Sequence, residues 1–178
     1  MLLNLETKRL ILRPFSASDA LDMYNNWSSD DSVTSFLTWN SHRSVNDAVS
    51  ILNLWVEQYQ KPERINCAIV LKSDKTLIGG IDVVGYLDGI PVIGYVISRK
   101  YWNNGYATEA CSSLLEYLFS LGHKKVRIDA VVENIGSNKV IRKCKGKLID
   151  TVDEYIESKQ KTFKINIYEV YKEDYVLK

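Results

Sequence analysis

Residues 91–121 constrain the fold more than any other stretch. Pro91 to Ser98 (PVIGYVIS) reads as a strand. It is followed by Trp102-Asn-Asn-Gly-Tyr-Ala-Thr-Glu-Ala110, and then by apolar residues at Ala107, Ala110, Cys111, Leu114, Leu115, Leu118 and Leu121. That spacing is the stripe of an amphipathic helix. A strand, a short glycine-containing loop and a helix start together make an anion site, because the first backbone N–H groups of a helix lack partners and its dipole favours negative charge there. A nucleotide-bearing molecule is expected to bind at this loop.

The rest of the composition narrows the class. With 178 residues, 46% hydrophobic and 25% charged, the chain suits one compact domain over 1–178 with a sizeable core. A net charge of +1 gives no general attraction to nucleic acid or to an anionic membrane, so neither is expected as a partner. Cys67, Cys111 and Cys144 are widely spaced and lack a metal-ligand pattern, as expected of free thiols in a reducing cytoplasm, and no metal site is expected. The opening MLLNLETKRLILRPF places Glu6, Lys8, Arg9 and Arg13 within the apolar stretch, which fits neither a secretory leader nor a membrane span.

Along the chain, Leu10 to Leu12 reads as a first strand stopped near Pro14. Ser16 to Asp19 and Ser44 to Asp47 are capping-box signals. The first opens a short helix towards Trp27. The second opens a helix with Val45, Ala48, Val49, Leu52, Trp55, Val56 and Tyr59 on one face, ending near Pro62. Strands are expected at 66–72, 76–84 and 126–132, and finally at about 147–156 and 162–171, with a turn at Tyr86 to Gly89. Ser137 can cap a short helix through Lys143. This order predicts an α/β (α+β) domain with a mixed, mostly antiparallel sheet and helices on both faces, without the strict alternation of a doubly wound fold.

Three blocks carry a resemblance: Leu5 to Phe15 (LETKRLILRPF), Gly94 to Ala110 (GYVISRKYWNNGYATEA) and Asn134 to Gly146 (NIGSNKVIRKCKG). Through them the whole chain resembles the GNAT superfamily of acetyl-CoA-dependent N-acetyltransferases. More closely it resembles the branch that includes the ribosomal-protein N-terminal acetyltransferases (RimJ/RimL-like). The family loop pattern, Gln/Arg-x-x-Gly-x-Gly/Ala, is met by Gly105 and Ala107, with Trp102 in place of the first residue. The resemblance implies that Trp102, Asn103, Asn104, Gly105, Tyr106, Ala107 and Thr108 hold the pyrophosphate of acetyl-CoA. It further implies that the strand before the loop splays from its neighbour, so that unpaired backbone groups of Tyr95, Val96 and Ile97 bond the pantetheine arm. Asn134 would bond the same arm, Ser137 would protonate the departing thiolate, and Asn138 and Arg142 would reach the ribose or phosphates.

Alternatives stand beside these roles. Ser137 is either a proton donor or a helix cap, or both. Asn134 is either a ligand or a turn residue, and Arg142 either a ligand or a solvated charge. Lys139 and Lys143 are read as surface charge, and Cys144 as a small buried hydrophobe. Between the first two helices, Trp39, Asn40 and His42 are the substrate-side candidates, Trp39 being equally a core residue and His42 a plain loop histidine. Many relatives carry a glutamate where this chain has Val92, so the general base is open, with solvent, Asp82 and His42 as options. Family members also have Gly-Phe where this chain has Gly146-Lys147, which keeps the turn but loses an aromatic.

These features predict an enzyme that transfers the acetyl group of acetyl-CoA directly to a primary amine, on a protein N-terminus or a small molecule. The competing reading is a non-catalytic acyl-CoA-binding or sensor module on the same fold. Monomer and homodimer are both open.

Overall fold

The structure, a computed structural model, describes residues 3–61 and 64–176. Eight strands form one sheet: β1 (Leu5–Glu6), β2 (Leu10–Pro14), β3 (Asn66–Leu71), β4 (Leu77–Leu87), β5 (Ile90–Ile97), β6 (Lys125–Val131), β7 (Lys147–Ile156) and β8 (Lys161–Tyr171), in the spatial order β1-β2-β3-β4-β5-β6-β8-β7. Every pairing is antiparallel except β5 with β6. The helices are α1 (Ala20–Met23), α2 (Asp31–Thr34), α3 (Val45–Gln58), α4 (Tyr106–Ser120), α5 (Ile135–Lys143) and α6 (Lys172–Val176).

Both capping boxes form, at Ser16 with Asp19 and at Ser44 with Asp47. The first opens a composite helix, a 3-10 turn at Ala17–Asp19 running into α1 and then a π-helical stretch at Tyr24–Ser28. Pro62, expected to end α3, lies outside the described residues. Strand β4 runs further than its pattern suggested, through Tyr86 and Leu87, so the turn narrows to Asp88 and Gly89. Three short elements, β1, α2 and α6, are too brief to show a period.

Apolar faces decide the layering. The stripe of α4 (Ala110, Cys111, Leu114, Leu115, Leu118) packs with Ile141 of α5 and with Ile128 and Tyr168 on one face of the sheet. On the other face Phe15, Met23, Trp27, Ala48 and Leu52 from the first helices pack on Ala68, Val70 and Leu77. Leu121, counted in the stripe by sequence, is exposed at the helix end. Gly146 does keep its turn: its N–H donates to the Ile141 carbonyl at 2.9 Å, and a Cβ there would lie 2.4 Å from Ile141 Cγ2.

The pairing between β5 and β6 matters most for the site. It is confined to Val92 with Arg127 and Ile93 with Ile128. Beyond Ile93 the two strands part, β5 staying with β4 up to Ile97 and β6 staying with β8 up to Val131. The sheet therefore carries a wedge-shaped gap in its centre, bordered by Gly94–Ile97 and Asp129–Val131. A bulge at Val84 bends β4 beside it.

Candidate active site

The gap exposes a known set of backbone groups. The Ser98 N–H donates to the Ile78 carbonyl on β4 at 2.8 Å, so by antiparallel alternation Val96 and Gly94 also face β4, while Tyr95 and Ile97 face the gap. Val96 is thus corrected as a backbone ligand: its carbonyl oxygen lies on the β4 side, where a Cβ on Gly79 would sit 2.1 Å from it. The Ile97 carbonyl is taken by the Trp102 indole N–H at 2.7 Å, which pins the start of the loop to the strand. What remains open is the N–H and C=O of Tyr95 and the N–H of Ile97.

At the end of the gap stands the N-terminus of α4. Its N-cap is Gly105 at φ 79°, a left-handed conformation that favours glycine, and no side chain caps the helix. The first N–H groups, on Tyr106, Ala107 and Thr108, are therefore available to an anion. Glu109 in the same turn would compete with that anion, but its carboxylate is drawn away. It accepts from Thr7 Oγ1 at 2.6 Å, the Arg9 N–H at 2.8 Å and Arg9 Nε at 2.7 Å. Burial opposes its ionisation, yet these bonds hold the Glu109 carboxyl below its ordinary pKa. The Arg9 guanidinium also donates to the Asn104 carbonyl at 3.0 Å and lies 4.4 Å from the Tyr106 ring centre. Arg9 and Glu109 lock the loop, and nothing in their local sequence announced it, since they are a hundred residues apart.

Two cavities meet at the gap. One, of about 660 Å³, is lined by Ile97, Trp102, Asn103, Gly105 to Thr108 and the α5 residues Gly136, Lys139, Val140 and Lys143. The other, of about 740 Å³, lies beneath the first helices and includes Trp39, His42, Asp82 and Val92. Phe36, Leu37, Tyr95, Val96, Asn134 and Ser137 line both. At this junction the Tyr95 hydroxyl lies 2.8 Å from Ser137 Oγ. Burial pushes the Tyr95 phenol well above its ordinary pKa, with the Ser137 bond only partly opposing, so the hydroxyl keeps its proton.

Several expected roles change. Ser137 is not the helix cap: Asn134 is, its Oδ1 accepting from the Ser137 N–H at 3.0 Å. Asn138 does not reach either cavity. It is buried, donating to the carbonyls of Val131 at 2.9 Å and Asn134 at 2.8 Å and accepting from Asn166 at 2.8 Å and Tyr168 at 2.7 Å. Arg142 sits beside it on the Tyr168 hydroxyl at 3.2 Å, away from the cavities. The cations that do line the smaller cavity are Lys139 and Lys143, one helical turn apart. Asn104 turns its carbonyl to Arg9 rather than to the cavity. Asn40 is a latch: its Nδ2 donates to the Ser158 carbonyl at 2.8 Å, while Ser158 Oγ donates to the Thr38 carbonyl at 2.7 Å, tying this loop to the turn between β7 and β8.

Trp39 and His42 do face the larger cavity, their rings 5.5 Å apart. Burial lowers the pKa of His42, with Asp47 opposing, so its ring is neutral near pH 7. In the same cavity burial pushes the Asp82 carboxyl up to about 6, against the pull of Arg64, whose Nη2 lies 3.7 Å away. Among the described residues no cluster of three or more His, Cys, Asp or Glu is placed to hold a metal, and no helix is long and apolar enough to cross a membrane.

A splayed parallel strand pair leading to an uncapped helix N-terminus is the geometry the resemblance implied, and comparison with known proteins agrees. The acetyltransferase (GNAT) domain model matches residues 9–147. The chain belongs to the GNAT acetyltransferases. It is 29% identical over 171 residues, 94% of this chain and 96% of the relative, to YoaA, an uncharacterized N-acetyltransferase of Bacillus subtilis. Among solved structures it is similar to the microcin C7 self-immunity acetyltransferase MccE in complex with acetyl-CoA and AMP (TM-score 0.82, 18% identity, 93% of each chain). It is also similar to the ribosomal-protein-S5-alanine acetyltransferase of Vibrio fischeri (TM-score 0.78, 15% identity, 97% of this chain and 98% of that one). These two likenesses are of fold. The protein is accordingly an acetyltransferase with acetyl-CoA as its donor. The site fits that donor: open backbone groups on one edge, an uncapped helix start and two lysines are what an amide-bearing arm with a pyrophosphate needs.

Proposed function

We propose that this GNAT acetyltransferase acetylates a primary amine by direct transfer, the donor entering through the smaller cavity and the amine through the larger one. The observation that carries the reading is the Tyr95–Ser137 hydroxyl pair at the place where the two cavities meet. On this reading Tyr95 and Ile97 bond the pantetheine arm, the first turn of α4 takes the pyrophosphate, and Lys139 and Lys143 neutralise phosphate charge. Asn134 acts through Ser137, fixing where its hydroxyl points.

Acetyl-CoA supplies an acyl carbon activated as a thioester, and transfer to an amine releases CoA and one proton from nitrogen. The chain has a group for each proton. Asp82, poised near 6, accepts the proton shed by the bound amine. Ser137 Oγ gives a proton to the leaving sulfur and takes one back from the Tyr95 hydroxyl, which is itself reprotonated from solvent, so that both hydroxyls end the turnover protonated.

The test is a thiol-release assay with acetyl-CoA over a panel of amines, together with titration of acetyl-CoA binding. Ser137→Ala lowers kcat by about 10²-fold, the usual worth of a positioned proton donor, and leaves the Kd for acetyl-CoA within about twofold. A variant with unchanged kcat removes Ser137 as the donor.

A further inference from the structure

The walls of the larger cavity carry a recognisable chemistry. Six phenylalanine, tryptophan or tyrosine side chains, Phe15, Trp27, Phe36, Trp39, Trp55 and Tyr95, line it, and among the described residues no lysine or arginine does. Three carboxylates also line it: Asp82, Asp129 and Glu154. Two of them already face a guanidinium from outside the cavity. Arg64 Nη2 lies 3.7 Å from Asp82, and Arg127 Nε lies 2.8 and 3.0 Å from the two oxygens of Asp129. Three carboxylates against two guanidiniums leave about one negative charge for an incoming molecule.

This balance discriminates between amines. Ring faces attract a cation and cover an apolar body. A polyamine would bring several charges to a cavity with one to spare. A peptide terminus would bring a run of backbone amides and carbonyls, and for the carbonyls the buried wall offers two uncommitted side-chain nitrogens, Asn66 Nδ2 and His42 Nδ1, so longer backbone is left with unmade hydrogen bonds. A volume of about 740 Å³ is ample for a small molecule. Trp39 stands on the loop that Asn40 and Thr38 fasten to Ser158, so this wall is held rather than free to fold away.

Building on the acetyl-transfer reading, we propose that the acceptor is a small primary amine carrying a single positive charge on an aromatic or bulky apolar body, selected by Trp39 and its neighbouring rings.

The experiment compares kcat/KM for 2-phenylethylamine, n-propylamine, spermidine and a peptide with an N-terminal alanine. Alongside it, calorimetry measures the binding of 2-phenylethylamine to the protein saturated with CoA. The expected result is a kcat/KM for 2-phenylethylamine about tenfold or more above each of the others. Trp39→Ala then collapses the ratio of 2-phenylethylamine to n-propylamine towards one, a change that a general loss of folded protein does not produce. Phe36→Leu, a milder change in the same wall, lowers that ratio about threefold. Faster turnover of spermidine or of the peptide overturns this acceptor class and leaves acetyl transfer standing. Binding of 2-phenylethylamine with no thiol release from any amine keeps the cavity's preference and overturns the transfer reading. Neither binding nor release overturns the proposal itself.

Discussion

Asp82 is the residue whose chemistry is set most clearly by its surroundings. Its carboxyl titrates at about 6 in the folded chain against an ordinary 3.8, because burial outweighs the nearby Arg64. The sign for stability follows from linkage. Between those two values the folded chain retains a proton that the unfolded chain has lost, so raising the pH through this window lowers stability. Asp82→Asn is therefore expected to raise stability at pH 7 by on the order of 1 kcal/mol, checked by thermal melts at pH 5 and 7 with the larger gain at the higher pH. The same variant loses the rise in kcat/KM through about pH 6 that the wild-type enzyme should show. A stabilised variant with an unaltered pH profile would leave Asp82 with no part in proton transfer. Asn138 shows the limit of reading residues singly. One helical turn from Arg142, it was expected to reach the ribose or phosphates, but its partners Asn166 and Tyr168 lie 28 and 30 positions away, and no local pattern reveals such a buried network.

Elements with a strong period were legible before the structure. The stripe of α4, the two capping boxes and the alternation of the strands needed only local rules, and they gave the sheet, its longer helices and the helix start at Gly105. The facing of α5 was not legible. Its apolar residues, Ile135, Val140 and Ile141, do not share one narrow stripe, and the polar Asn138 goes inward with Ile141, so that Lys139 and Lys143, not Asn138 and Arg142, turn to the cavity. The lock on the loop before α4 was hidden for a different reason: it joins the β1–β2 turn to a helix far along the chain. Arg9→Ala is expected to weaken acetyl-CoA binding about five- to tenfold, roughly 1 kcal/mol, by freeing the loop and releasing the Glu109 charge towards the phosphates. Arg9→Lys recovers only part of this, since an ammonium cannot bond Glu109 and Asn104 from one planar fork. Titration of acetyl-CoA into the three proteins checks the order; equal affinities would mean that the lock does not serve the donor site.

At the scale of the molecule, two cavities meet at the gap between β5 and β6. Cys67, Cys111 and Cys144 are buried, and none lines either cavity, so no thiol stands ready to carry the acetyl group. Kinetics with both substrates varied should give intersecting lines, and mass spectrometry after incubation with acetyl-CoA alone should find no acetylated side chain at Tyr95 or Ser137. Parallel lines with a trapped acetyl-enzyme would contradict direct transfer. The parting of β5 from β6 decides everything downstream, because it turns a continuous sheet into a sheet with a slot. Amide hydrogen exchange with and without acetyl-CoA tests the use of that slot most directly. The predicted result is slower exchange at Tyr95, Ile97 and Tyr106 to Thr108, with Val96, already directed to β4, unchanged. Slowing elsewhere on the chain, with Tyr95 and Ile97 unaffected, would contradict the claim that the donor lies between the strands.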